Sequence, residues 1–151
     1  MAKNNYRKGD LGGMAFVAMP LIVLDSPDYL ELSPSATKLL IDVYRQYSGI
    51  NNGRLSPCWE LMRKRGWKSQ TTLNNAKKEL RQTRLITVTK AGTRQKGNPE
   101  LWAVNWRQLD WRKDMDIQPT GFDYKGFLDL KAAKIDPIPE RSKSPELKIV
   151  A

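Results

Sequence analysis

A chain of 151 residues with 40% apolar side chains and a formal charge of +10 suits one water-facing globular domain with room for a tail, and argues against two full domains. Its longest apolar run, residues 14–24, is broken by Pro20 and falls short of the roughly 20 apolar residues of a bilayer-spanning helix, while the first residues lack the order of a secretory leader, so a cytoplasmic protein with no membrane contact is expected. Cys58 is alone and histidine is absent, which excludes an internal disulfide and the usual zinc ligand sets.

Residues 1–13, polar and carrying Gly9, Gly12 and Gly13, are expected to form a flexible arm. Residues 14–24 read as an apolar segment, strand or helix, packed on the main body and ended by the turn residues Asp25-Ser26-Pro27-Asp28. The first clear helix opens at Ser33-Pro34, a capping residue followed by a proline whose missing N–H costs nothing at the first helical position. Its apolar face is Ala36, Leu39, Leu40, Val43, Tyr44 and Tyr47, and Gly49 supplies the stop. Asn51-Asn52-Gly53 is a turn, Leu55-Ser56 a very short strand, and Ser56-Pro57 repeats the cap-plus-proline start for a short helix with Trp59, Leu61 and Met62, ending near Arg65-Gly66. A third helix, capped by Ser69, turns Leu73, Ala76 and Leu80 inward and ends near Thr83. Residues 85–89 and 101–106 then form a hairpin around the polar loop 90–99, with Trp102, Val104 and Trp106 alternating onto one face. Beyond Arg107 the apolar pattern fades into a proline-punctuated tail, residues 107–151, partly ordered at most.

The charge is localised. Twelve Lys and Arg between Arg54 and Asn98 face two acids, Glu60 and Glu79; of the 26 bases and 16 acids in the chain, this leaves fourteen of each elsewhere. A confined excess of this kind concentrates a polyanion in a way that a high chain average does not.

The order helix, short helix, sharp turn, helix, hairpin resembles the winged helix-turn-helix family, and the residues that carry the resemblance span 55–106, about half the chain. The run from Leu55 through Met62-Arg63-Lys64-Arg65-Gly66-Trp67 to Leu73 looks like that family's second helix, turn and recognition-helix start. Together with Asn51-Asn52-Gly53 it is also similar to helix-turn-helix proteins of phages, prophages and plasmids. The expected architecture is therefore α+β: a three-helix core with a β-hairpin wing over residues 14–106, followed by a largely irregular tail. The resemblance assigns base contacts to Gln70, Thr71, Thr72 and Asn74 and backbone contacts to the wing, where Arg94 and Lys96 are the candidates.

The residues themselves agree. With Leu73, Ala76 and Leu80 facing inward, a repeat of 3.6 residues turns Gln70, Thr71, Asn74, Asn75, Lys78 and Arg81 outward. Gln and Asn can pair with adenine, Thr can meet the thymine methyl, and Lys can reach guanine or phosphate. An ordinary solvated helix face would show several carboxylates here, and Glu79 is the only one. Arg63, Lys64, Arg65, Lys68 and Ser69 lie around the turn, and with Arg81 they are the candidate phosphate contacts. Trp59, Trp67, Trp102 and Trp106 read as packing residues, whereas Trp111, Phe122 and Phe127 lie outside the recognised fold and dock on a partner or on the body.

Without histidine there is no Ser-His or Cys-His nucleophile; no glycine-rich loop ends in Gly-Lys-Ser or Gly-Lys-Thr; and the acids are scattered. The expectation is a non-enzymatic protein without cofactor that binds double-stranded DNA as a transcription regulator of a mobile element. Two other readings are a replication initiation or helicase-loading protein and a module that binds and inhibits host proteins. A homodimer contact through residues 14–24 or the tail, and a protein partner for the tail, are further expectations.

Overall fold

Two serines set the starts of the two long helices in the computed structural model, which describes residues 12–93, 95 and 97–128. Ser33 accepts from the Ala36 N–H at 3.2 Å and Pro34 opens helix α3 (Pro34–Tyr44), as its sequence dictates; α1 (Leu21–Leu24) and α2 (Pro27–Leu30) are single turns before it. Ser69 accepts from the Thr72 N–H at 3.2 Å and starts α5 (Gln70–Arg81). Between them α4 (Trp59–Met62) runs into a tight 3-10 turn over Arg63–Arg65, and an antiparallel hairpin of β1 (Ile86–Lys90) and β2 (Leu101–Val104) follows α5. The described residues thus form a mixed α/β fold with a two-stranded hairpin. None of their helices is long and apolar enough to cross a membrane. Apart from Gly12 and Gly13, the expected arm lies outside the described residues, as do Arg94, Lys96 and positions 129–151.

The core follows the helical period. Ala36, Leu39, Leu40, Val43 and Tyr44 of α3 are fully buried against Leu73, Ala76 and Leu80 of α5, with Leu55, Met62, Leu85, Trp102 and Val104. Burying each large aliphatic side chain contributes about 1.5–3 kcal/mol. Of residues 14–24, only Leu21–Leu24 becomes helical, and Val23 enters the core. The expected short strand at Leu55 is a single antiparallel bridge to Trp102.

Several boundaries differ from expectation: β2 ends at Val104, two residues short of Trp106, and two helix ends move. Helix α3 stops at Tyr44, ahead of Gly49, and the next two residues continue as turns. Helix α4 begins at Trp59 rather than after Ser56-Pro57, because Ser56 is held in an extended segment. The Gln46 side chain accepts from Ser56 N at 2.9 Å and donates to Ser56 O at 2.7 Å, while Ser56 Oγ accepts from Cys58 N. That bond reaches two residues on, a local serine turn instead of a helix cap.

The hairpin also departs from a one-faced strand pair. Trp102, Val104 and Trp106 are buried, but so are Ala103 and Asn105, since residues 107–128 return over the hairpin without a long helix or strand of their own. Asp116 N donates to Thr89 O at 2.8 Å and Lys125 N to Asn105 O at 2.7 Å. Met115 and Phe127 are buried, and Phe127 joins the main core. Thr89 is the extra residue of a bulge in β1; its hydroxyl turns into the interior and donates to Gly53 O or Leu101 O.

Asn52 holds this return in place. It is fully buried; its amide donates to Val104 O, Arg107 O and Gln108 O at 3.0–3.2 Å and accepts from Val104 N at 2.9 Å. The neighbouring Gly53, with φ +114°, lets Met115 and Leu109 close on the turn, where a Cβ would stand 2.7 and 3.0 Å from their side-chain carbons.

Candidate nucleic-acid interface

Gly66 makes the approach to α5 possible. It ends the tight turn after α4 at φ +88°, a left-handed conformation that suits glycine. The chain then crosses Trp67 and Lys68 to the Ser69 cap, so that Leu73, Ala76 and Leu80 face α3 and β1. Gln70, Thr71, Thr72, Asn74, Asn75 and Lys78 are all exposed. These six side chains share no carboxylate.

The reason lies in where the nearby acids point. Glu79 turns to the start of α3, accepting from Ser33 N at 2.7 Å and from Ser33 Oγ at 2.6 Å. In a capping box the residue three positions into a helix reaches back to the cap N–H; that position of α3 is Ala36, which cannot, and Glu79 supplies the carboxylate from the neighbouring helix. Asp42, 5% exposed, gathers three donors: Lys38 Nζ at 2.6 Å, Trp67 Nε1 at 2.9 Å and the Arg65 guanidinium at 3.3 Å. Lys38 Nζ also donates to Arg65 O at 2.8 Å, so this cluster pins the turn that precedes α5.

At the other end of α5, Glu100 accepts from both Arg81 nitrogens at 2.8 and 2.5 Å and from Trp102 Nε1 at 2.8 Å, with Lys77 Nζ at 3.5 Å. Burial acts to raise the Glu100 carboxyl, but the hydrogen bonds from Arg81 and Trp102, with the charges of Arg81 and Lys77, outweigh it and hold the carboxyl below its ordinary range. Arg81 is raised, chiefly by its hydrogen bond to Glu100. Gly92 allows the facing stretch of hairpin to come close, since a Cβ there would stand 2.9 Å from Glu100 N. The ion pair therefore ties the hairpin to α5.

All but two of the residues singled out in the sequence have a place in this geometry. Arg63, Lys64, Arg65 and Lys68 are exposed around the turn; Arg63 pairs with exposed Glu60 at 3.0 Å and Arg65 with Asp42. Ser69 is exposed and its hydroxyl caps α5. Arg81, grouped with the outward face by its spacing, is held by Glu100. Arg94 and Lys96 lie outside the described residues, but the loop that carries them closes through Thr93 N to Asn98 O at 3.0 Å, with Gly97 at φ +98°.

Sequence reasoning missed Asp42 and Glu100. The Lys38–Asp42 spacing of four on a helix was a readable signal, whereas nothing local marks Glu100, whose partners lie across the hairpin and on α5. No family model, curated protein sequence or solved structure matches the chain.

Proposed function

We propose that the chain is a winged helix-turn-helix protein that reads double-stranded DNA, with α5 in the major groove and the hairpin as the wing. The observation that carries this reading is the outward face of α5: six exposed polar or basic side chains from Gln70 to Lys78, with Glu79 turned away to Ser33. A polyanion meets no carboxylate there. Gln70, Asn74 and Asn75 have the paired donor and acceptor that adenine presents a match for, Thr71 and Thr72 suit the thymine methyl, and Lys78 suits guanine or phosphate. Arg63, Lys64 and Lys68 hold the backbone beside them, and Arg94 and Lys96 hold it from the wing. Arg81 belongs to the joint between helix and hairpin rather than to the contact face.

The biological role that fits is transcription regulation, with repression by occlusion of a promoter, in a phage or other mobile element and without catalysis or cofactor. Selection of bound fragments from a random duplex library, with affinities measured at two salt concentrations, tests the reading. We expect an enriched motif and an affinity that falls steeply with salt. Fragments without a common motif, bound only at low salt, would reject base reading by α5.

A further inference from the structure

Trp111 differs from the other tryptophans. Trp67, Trp102 and Trp106 are buried and Trp59 is half-buried against the core, whereas Trp111 is 39% exposed. It is also held firmly: Nε1 donates to Ile117 O at 2.8 Å. The loop that carries it is fastened to the turn before Leu55, with Asp110 N donating to Asn52 O at 2.9 Å and Asn52 N donating to the Asp110 carboxylate at 2.8 Å. Gly53 lets this loop sit close, and Arg54 lines the same cleft as the indole.

The result is an open cleft of about 500 Å³ lined by Arg54, Trp111, Arg112, Lys113 and Asp114, within the range of about 300–1,000 Å³ that small-ligand sites occupy. Among the described residues, the side chains of Arg54, Arg112 and Lys113 form no hydrogen bond or ion pair. Asp114 is drawn toward Lys90 at 3.9 Å. Cation–π contacts among the described residues fall on Trp67, Tyr47 and Tyr124, and none of the three neighbouring cations lies over the Trp111 ring. Three like charges beside a fixed, partly exposed indole call for an anionic ligand with a planar group.

We propose that this cleft binds single-stranded nucleic acid, with an unpaired base stacked on Trp111 and the adjoining phosphates held by Arg54, Arg112 and Lys113. Duplex DNA keeps its bases inside the stack and offers the ring nothing, whereas every unpaired base has a face to stack. Such a site is separate from α5 and does not depend on its reading duplex DNA.

The test uses the full chain with a fluorescent short oligothymidylate, its abasic counterpart with the same phosphates, and a random duplex. We expect the oligothymidylate to bind more tightly than the abasic strand. Trp111→Ala should weaken oligothymidylate binding about tenfold and erase the preference over the abasic strand. Trp111→Phe should keep most of both, and duplex affinity should stay within about twofold. Equal binding of the two strands by the unaltered protein, no binding of either, or an unchanged oligothymidylate affinity in Trp111→Ala overturns the proposal. Should Trp111→Ala fail to fold, Arg112→Ala carries the test: about fivefold weaker oligothymidylate binding is expected, and an unchanged affinity overturns the site. A Trp111-dependent single-strand signal without any duplex motif would reject the α5 reading and keep this one.

Discussion

The two ends of α5 carry the same kind of charge and hold it differently. At the N-terminal end Arg63, Lys64 and Lys68 face solvent, and the ion pair of Arg63 is with an exposed Glu60; a pair of that kind is worth little and gives way to salt or to a stronger anion. At the C-terminal end Lys77 and Arg81 converge on Glu100, whose side chain is 11% exposed. Charge of one sign thus gives two properties: a field available to a ligand at one end and a structural joint at the other. Pairing and burial separate them, and counting lysines and arginines along the sequence cannot.

The largest effect is expected at the joint. Glu100→Ala leaves Trp102 Nε1 and two cations without their acceptor and should cost about 3 kcal/mol in denaturant unfolding, while the released Lys77 and Arg81 raise affinity for random duplex. Stability should also carry the mark of this carboxyl in acid. Its folded value lies below the ordinary 4.5, so the unfolded chain takes up the proton first. The stabilisation is complete above about pH 4.5 and is lost as pH falls from there through the folded value. Glu100→Gln should flatten that acid limb, and an unchanged limb would mean that Glu100 is not what joins hairpin to helix.

A smaller effect is expected at Asp42. Asp42→Asn keeps an oxygen for Trp67 Nε1 but removes the charge facing Lys38 and Arg65, both of which can turn to water. About 1 kcal/mol of stability should be lost, and the freed Arg65 should steepen the salt dependence of duplex binding. Smallest in stability is Lys68→Ala, expected within about 0.5 kcal/mol of the parent while lowering the salt slope by about one. Lys77→Ala should do the reverse, and matched effects of the two on salt slope would erase the contrast between the ends of α5.

What the sequence shows of this molecule is what acts over a few residues. Ser33 with Pro34, Ser69 and Gly66 do at helix ends what their chemistry dictates, and the spacing of Leu73, Ala76 and Leu80 marks the buried face of α5. The same spacing placed Arg81 on the outward face, where it is exposed, but period alone knows nothing of Glu100, which pairs with it. Asn52 read as one residue of a turn, yet four of its side-chain hydrogen bonds reach the end of β2 and the residues after it. Residues 107–128 offered no period because they dock through backbone hydrogen bonds and isolated side chains such as Met115 and Phe127. Trp111, proposed to stack on an unpaired base, was visible only as an aromatic outside the pattern, and Arg54, which lines the same cleft, lies far away along the chain.

The central claim, that the outward face of α5 reads bases, is tested most directly by Asn74→Ala measured side by side on the selected motif and on random duplex. Asn74 is exposed on α5, so the fold should be unaffected. We expect about 1–3 kcal/mol of lost discrimination, confined to the motif, with random-duplex affinity and salt slope as in the parent. Equal loss on both duplexes would contradict the assignment and leave α5 as a basic surface without sequence preference.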